Sequence, residues 1–374
     1  MIRYPETWRG LRAVLAHDWL TGMRGGERVI ELLGDGFPDA PIATLVYSPE
    51  AVSARINAHP VIASPLQRLP AAHRVYRFFL PLLPWAAGRL RLPPCDLVLS
   101  TSHCVAKGFR APPGAKHLCY CFTPMRYAWG FHAEYFGRNP AARLALAPLL
   151  GGLRRWDRRT AARVDRFVTL SEHVRDRIRR FYGREAEVVY PPVDTAFFTP
   201  GSPPPDAGSY DLIVSALVPY KRIDLAVRAY AGTGFPLRIV GVGSEMGRLR
   251  RLAGPSVEWL GWRSDEDIRT LYRGCRCLVF PGEEDFGIVP VEAQACGRPV
   301  VAYGRGGACE SVVEGVSGVF FADQTEISLL AAVERCAAVE WDAEAIRRNA
   351  ERFRVQAFVD GIARAVDATL NGAD

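Results

Sequence analysis

The alternation of short apolar runs with helix-compatible segments predicts an α/β protein built from two Rossmann-like, doubly wound parallel sheets. Three observations carry this expectation. Apolar runs at 11–16, 96–100, 117–121 and 166–170 each end in a loop that leads on, and the same pattern restarts at Asp211. A chain of 374 residues is too long for one ordinary core and suits two. Between the two series, Thr199–Gly208 carries Pro200, Pro203, Pro204 and Pro205 and reads as a stiff linker. The expected organisation is a first domain over 1–195, a second over 196–354 and a closing helix over 355–374.

Composition narrows the function classes. Hydrophobic residues make up 49% of the chain, with 34 Gly and 28 Pro, which describes a globular, loop-rich protein. No apolar run approaches the ~18 residues of a membrane span, and the first residues, with Glu6 and early arginines before Leu11, do not read as a signal peptide. A cytoplasmic protein is expected. The nine Cys include no Cys-x-x-Cys pair, so Cys119/Cys121 and Cys275/Cys277 read as buried thiols on strand faces, and no metal is expected. Residues 1–200 carry 28 Lys+Arg against 16 Asp+Glu (28 − 16 = +12), and the remainder 19 against 24 (19 − 24 = −5). A basic half can meet a diphosphate-carrying acceptor or an anionic bilayer; nucleic acid is not expected, because no recognised binding motif accompanies the charge.

Taken in order, the strand at 11–16 ends at His17-Asp18, and Gly25-Gly26-Glu27 then opens a helix. The two glycines allow close approach of a phosphate to the backbone, although no Gly-x-Gly-x-x-Gly fingerprint is present. Residues 64–94 mix aromatic and aliphatic residues with five arginines and no acid. They fit either an interfacial segment, with Phe78, Phe79 and Trp85 inserted, or a pair of core helices with basic outer faces. The runs at 96–100 and 117–121 lead into Thr101-Ser102-His103 and into Phe122-Thr123-Pro124-Met125-Arg126-Tyr127-Ala128-Trp129. Ligands of doubly wound folds bind at the carboxyl ends of strands, so His103, Arg126, Tyr127 and Trp129 are acceptor-site candidates. An arginine-rich stretch over 143–184 predicts a helix, a strand at 166–170 and a second helix capped by Ser171.

In the second half, the strand at 211–215 leads to Lys221 and Arg222 at a helix entrance, where cations oppose the helix dipole unless an anion is bound. The run Leu237–Val240 meets Gly241-Val242-Gly243, a turn able to hold a base or ribose. The most informative stretch is 276–315. A strand at 277–280 meets Pro281-Gly282, then a helix runs from about Ile288 to Ala295. The N–H groups of Phe286, Gly287, Ile288 and Val289 form an anion site for a diphosphate, and Glu284 and Glu292 suit sugar and ribose hydroxyls. Helices are expected at about 325–338, 342–352 and 355–370.

Glu284-Asp285-Phe286-Gly287, Glu292-Ala293, Gly297-x-Pro299-Val300 and Gly306-Gly307-x-x-Glu310 resemble the Glu-x7-Glu region of the retaining GT-B glycosyltransferases of family 4. Thr-Pro-Met-Arg-Tyr-x-Trp at 123–129 is similar to a bacterial subgroup of that family associated with O-antigen and exopolysaccharide assembly and typified by mannosyltransferases. The resemblance implies two domains facing a central cleft and a last helix that crosses back to the first. It also implies Gly25 and Gly26 near the donor phosphates, Lys221 and Arg222 neutralising the leaving diphosphate, Glu284 on the sugar and Glu292 on the ribose. GDP-mannose is the donor it favours, with a UDP- or dTDP-sugar the alternative. A glycan or polyprenyl-diphosphate-linked sugar is the acceptor, with contact at the inner face of the membrane. Two positions depart from the family: Phe122 stands where the subgroup has His, and Ala216 where the family has Arg. His103 could take over the first role and Arg222 the second; a non-catalytic sugar-nucleotide-binding protein is the competing reading.

Overall fold

The computed structural model describes residues 2–129, 140–202 and 204–372. The chain divides into two compact units, Met1–Tyr190 with Phe358–Asp374, and Pro191–Ala357. The proline-rich stretch is not the divider. It is tied to the second unit, where Arg273 Nε donates to Thr199 O (2.7 Å), Gly208 N donates to Gly274 O (2.8 Å) and Arg238 pairs with Asp206 (2.6 Å).

The first unit holds a seven-stranded sheet. Its strands are β1 (Ala13–His17), β2 (Ile42–Thr44), β3 (Val61–Ala63), β4 (Leu97–Ser102), β5 (Lys116–Cys121), β6 (Arg166–Thr169) and β7 (Glu187–Val188). The order is β3-β2-β1-β4-β5-β6-β7, with every pair parallel. β1 is buried throughout, as a central parallel strand covered on both faces must be, and this is why it reads as an unbroken apolar run. The three-residue strands β2 and β3 are too short to stand out by pattern.

Helix α1 (Gly25–Gly36) follows β1. Residues 64–94 form short helical pieces, and several of their apolar side chains face the core. Leu66, Tyr76, Leu80, Leu83, Ala86 and Ala87 are buried in the core, with Phe79 packed against it. Trp85 and Leu82 remain about half exposed (49% and 47%), with the Arg89 guanidinium 5.6 Å from the Trp85 ring centre. The side chains of Arg74, Arg77 and Phe78 lie outside the described residues. Helix α2 (Glu172–Tyr182) starts at Ser171, whose hydroxyl accepts from Val174 N (3.1 Å), as expected of a cap.

The second unit repeats the plan with six strands, β8 (Asp211–Val214), β9 (Leu237–Val240), β10 (Val257–Gly261), β11 (Leu278–Phe280), β12 (Val300–Tyr303) and β13 (Gly318–Phe321). They are ordered β10-β9-β8-β11-β12-β13, again with all pairs parallel. Helix α3 (Ile223–Tyr230) follows β8 and α4 (Ile288–Ala295) follows β11. The last helix, α5 (Val355–Asn371), contributes Phe358 onward to the first unit, where the Phe358 ring meets Tyr120 edge-on at 5.4 Å. No described helix is long and apolar enough to cross a membrane.

In each sheet the strand order reverses once, between β1 and β4 and between β8 and β11. The loops leaving those neighbouring strands diverge to opposite sides, opening the crevice in which doubly wound folds bind ligands.

Candidate active site

In the second unit, the loop after β8 makes a single 3-10 turn, Pro219–Lys221, and then places Arg222 in the left-handed region (φ +53°) before α3 begins. Such a backbone costs a non-glycine residue on the order of 1 kcal/mol and persists where the surroundings impose it. Here they do. Arg222 Nη1 donates to Gln324 Oε1 (2.7 Å), and Gln324 Nε2 donates to Pro281 O (3.0 Å), fastening the β8 loop to the β11 loop. Arg222 Nε also lies 3.4 Å from Asp224.

Gly282 crosses directly over the Lys221 backbone, since a Cβ there would stand 3.0 Å from both Lys221 Cα and O. That approach brings the two chemistry-bearing side chains together: Lys221 Nζ is in ion-pair contact with Glu284, both largely shielded at 17% and 16% exposure. Beyond it the chain turns through Gly287 (φ +89°) into α4, whose N-terminus no side chain caps. An uncapped helix start presents backbone N–H groups and the positive end of the dipole. Phe286 is buried and meets Phe353 edge-on at 5.4 Å, and so anchors this turn. Ile288 and Val289 are half-buried on its first turn. A further strut comes from the loop after β12. Gly307 N donates to Glu284 O (2.8 Å), and a Cβ on Gly307 would fall 2.2 Å from Phe286 Cα.

Glu292 sits one turn into α4 and accepts from the buried Tyr272 hydroxyl (2.9 Å). Burial and the neighbouring Glu292 push that phenol well above its ordinary range, so it stays a hydrogen-bond donor. Gly243 belongs to the same end of the sheet. A side chain there would collide with Leu217 O (2.2 Å), so the β8 and β9 loops can pack only through glycine.

In the first unit the loops after β1 and β4 meet at Asp18. Its carboxylate is fully buried and accepts from four successive N–H groups, His103 (2.6 Å), Cys104 (3.0 Å), Val105 (2.6 Å) and Ala106 (2.7 Å). His103 Nδ1 lies 2.9 Å from the same carboxylate. Burial alone would raise this carboxyl, but the His103 and His17 imidazoles and the His103 N–H hold it well below the usual carboxylate range. Phe122 lies beside this loop with its ring 6.5 Å from His103 and 6.4 Å from His17. Gly26, in the first turn of α1, packs against both His17 and Phe122; a Cβ there would be 3.2 Å from His17 Cε1 and 3.4 Å from Phe122 Cε2. Gly25 stands beside it, exposed.

The acceptor candidates divide. Arg126 and Tyr127 share a single helical turn, Arg126–Trp129, after β5. Trp129 is used for anchoring instead of display: its Nε1 donates to Asp157 (2.7 Å), its ring stacks on Phe181 at 4.8 Å, and Arg158 lies over it at 4.8 Å. Asp157 is buried, holds the buried Lys107 ammonium (2.5 Å) and accepts from Tyr182 (2.7 Å), so an indole was needed to complete an interior polar network. Sequence reasoning passed over Asp18, Tyr272, Gln324 and Gly282. Asp18 at the end of a central strand was the one local signal among them. Among the described residues, no group of three or more His, Cys, Asp or Glu is placed to hold a metal ion.

Comparison with known proteins bears on the whole chain. Residues 23–197 match the family described as Glycosyltransferase Family 4, and residues 201–353 match Glycosyl transferases group 1. A D-inositol 3-phosphate glycosyltransferase of Segniliparus rotundus is 31% identical over 244 residues, 56% of this chain and 54% of that protein. An uncharacterized glycosyltransferase of Methanocaldococcus jannaschii is 28% identical over 162 residues, 41% of this chain and 44% of the other. The chain thus spans about half the length of the curated relatives it matches. Among solved structures, sucrose-phosphate synthase of Thermosynechococcus elongatus aligns with a TM-score of 0.72 at 17% identity, covering 97% of this chain and 100% of that one. The Anabaena HepE protein in complex with UDP and glucose aligns with a TM-score of 0.68 at 19% identity, covering 96% and 100%. Two parallel-sheet units with these structural neighbours define the GT-B fold. With both family profiles matched in sequence along it, the chain belongs to the family 4 glycosyltransferases.

Proposed function

We propose that the chain is a retaining hexosyltransferase. It moves a sugar from a nucleoside diphosphate to a glycan or lipid-linked acceptor in surface polysaccharide assembly, and it uses protein cations in place of a metal. The observation that carries this reading is the Lys221–Glu284 contact on the loop that leads into the uncapped start of α4. A glycosyl transition state is oxocarbenium-like, with positive charge on the sugar and negative charge on the departing diphosphate. Lys221, supported by Arg222 and the N–H groups at 286–289, offsets the second charge. Glu284, released from Lys221 when the diphosphate arrives, takes sugar hydroxyls, and Glu292 takes the ribose. GDP-mannose is the donor favoured by the motif at 123–129, while the UDP and UDP-glucose bound to the HepE neighbour favour a UDP-sugar. Peripheral contact with an anionic membrane surface is supported by the net +12 of residues 1–200 and by exposed Leu82 and Trp85.

A thermal-shift screen over GDP-, UDP- and dTDP-sugars tests the reading. A ligand at 100 times its Kd adds about 2.7 kcal/mol to native stability, so a true donor raises the Tm measurably. No shift with any of them would remove the donor site. Phe122 and Ala216 support a second reading, a sugar-nucleotide-binding protein without turnover. Donor hydrolysis without acceptor separates the two, because the binding protein would show a Tm shift and release no nucleoside diphosphate.

A further inference from the structure

Tyr272 lies near the end of the helix Asp265–Gly274 in the second unit, and its side chain is fully enclosed. Its ring meets Phe198 edge-on at 5.8 Å; Phe198 is buried too, and its carbonyl accepts from Arg347 Nη1 at 3.1 Å. The helix is itself fixed at both ends. Ser264 caps its start by accepting from Asp267 N (3.2 Å), and Cys275 N donates to Leu271 O (3.0 Å) at its close. Held in this way, the phenol delivers its proton to Glu292 Oε2, 2.9 Å away on α4.

Such a bond sets the direction of a carboxylate. An ionised carboxyl only accepts, and a phenol that burial and Glu292 hold well above its ordinary range only donates, so the polarity of the contact is fixed. A hydrogen bond to a charged acceptor is also stronger than one between neutral groups. The donor is rigid, because packing fixes both torsions of an enclosed aromatic ring, whereas a glutamate has three of its own to settle. Tyr272 has no exposed surface and cannot touch a ligand, while Glu292 is half-buried. A vicinal diol such as the 2′- and 3′-hydroxyls of ribose offers two donors side by side, and a carboxylate receives both only when its plane is turned toward them. A glutamate oriented beforehand loses less side-chain entropy on binding than one free to rotate.

We propose that Tyr272 is a positioning residue that, through Glu292, gives the second unit its preference for a ribonucleoside diphosphate over a deoxyribonucleoside diphosphate. The inference deepens the donor-binding part of the proposed function and rests on it, but requires no turnover. The phosphates fall to Lys221 and the N–H groups at 286–289, so the two parts of the ligand can be probed separately.

The test is isothermal titration of UDP, GDP, their 2′-deoxy and 3′-deoxy counterparts and inorganic pyrophosphate into the full chain, Tyr272→Phe, Glu292→Ala and the double variant. The wild-type chain should bind its preferred ribonucleotide about tenfold or more tightly than at least one deoxy counterpart, as loss of a hydrogen bond to a charged group implies. Tyr272→Phe, which removes one oxygen and keeps the ring, should lower that ratio by about threefold or more and leave pyrophosphate affinity within about twofold of wild type. Added to Glu292→Ala, it should change the ratio no further, because the phenol acts only through the carboxylate. Phe198→Leu keeps the hydroxyl but removes the ring's edge contact, and should lower the ratio in the same direction by a smaller factor; should Tyr272→Phe fail to fold, this variant decides. A merely structural role would weaken every ligand alike, pyrophosphate included, and leave the ratio intact. That result, a further change in the double variant, or a wild-type chain indifferent to the ribose hydroxyls would overturn the proposal while nucleotide binding, and with it the donor site, stands. Binding of neither UDP nor GDP to the wild-type chain would remove the donor site itself and this inference with it.

Discussion

Replacing Lys221 by Ala is the most informative single change, because it acts on stability and on chemistry by amounts that can be told apart. Lys221 and Glu284 are 17% and 16% exposed, so screening by solvent is partial. Two unit charges ~4 Å apart at an effective dielectric of ~20 attract by about 4 kcal/mol, and desolvation offsets much of this. The expected net loss of stability is ~1–3 kcal/mol, or ~2–4 °C in Tm for each kcal/mol in a unit of this size. That is less than the ~5–15 kcal/mol of a typical domain, so the variant stays folded at 25 °C. Loss of one donor aimed at developing charge lowers turnover by ~10² to 10³. The assay is nucleoside diphosphate release from the donor found by thermal shift, run beside a melting curve. Glu284→Gln is the control: it also breaks the ion pair and should lower the Tm by a similar amount, while turnover falls less. Turnover within about threefold of wild type in Lys221→Ala, with the expected drop in Tm, would show the lysine to be a structural partner of Glu284 and would refute the reasoning.

Three further outcomes are expected. Gly307→Ala places a Cβ 2.2 Å from Phe286 Cα, which is backbone and cannot swing aside, so nucleotide affinity by calorimetry should fall at least tenfold; unchanged affinity would separate this strut from the anion site. Glu292→Ala should weaken binding of the nucleoside diphosphate more than that of inorganic pyrophosphate, since the ribose contact is lost and the phosphate contacts remain; equal losses would remove Glu292 from the ribose role. Burial pushes the His117 imidazole down to about 4 from its ordinary 6.5, and its Nε2 lies 2.8 Å from Ser100 Oγ. The unfolded chain then takes up a proton below about pH 6.5 that the folded chain refuses until about pH 4. Stability should therefore be full above this window and fall through it on acidification, at up to ~1.4 kcal/mol per pH unit. His117→Gln should flatten the dependence measured by urea unfolding between pH 7 and 5; an unchanged slope would assign it to other groups, His17 first among them.

The parts of this protein that were legible in its sequence are those whose physics is local. β1 and β12 read as apolar runs because both faces of a central strand are buried, and α4 begins where a glycine turn and the Glu-x7-Glu spacing place it. Lys221 and Glu284 were each visible as residues, but their contact depends on Gly282 riding over the Lys221 backbone, a closeness that spans two strands. The anchoring of Trp129 escaped sequence reading for a related reason. Its partner Asp157 lies 28 positions away on another helix, and no spacing rule links an indole after β5 to a buried lysine network. The proline-rich stretch read as the divider because prolines mark stiffness and say nothing of which unit holds them; Arg273 and Gly274 decided that, and the division after Tyr190 falls close to the expected one after residue 195. Asp18 is the clearest omission: four of its hydrogen-bond partners are backbone N–H groups at 103–106, which carry no side-chain signature at all.

Isothermal titration of UDP and GDP into the wild-type chain and into Lys221→Ala tests the central claim most directly. Saturable binding of at least one nucleoside diphosphate, weakened tenfold or more by the substitution, is the predicted result. Absence of binding by both, or equal affinity in the two proteins, would contradict the assignment of the loops at 215–222 and 281–289 to a diphosphate.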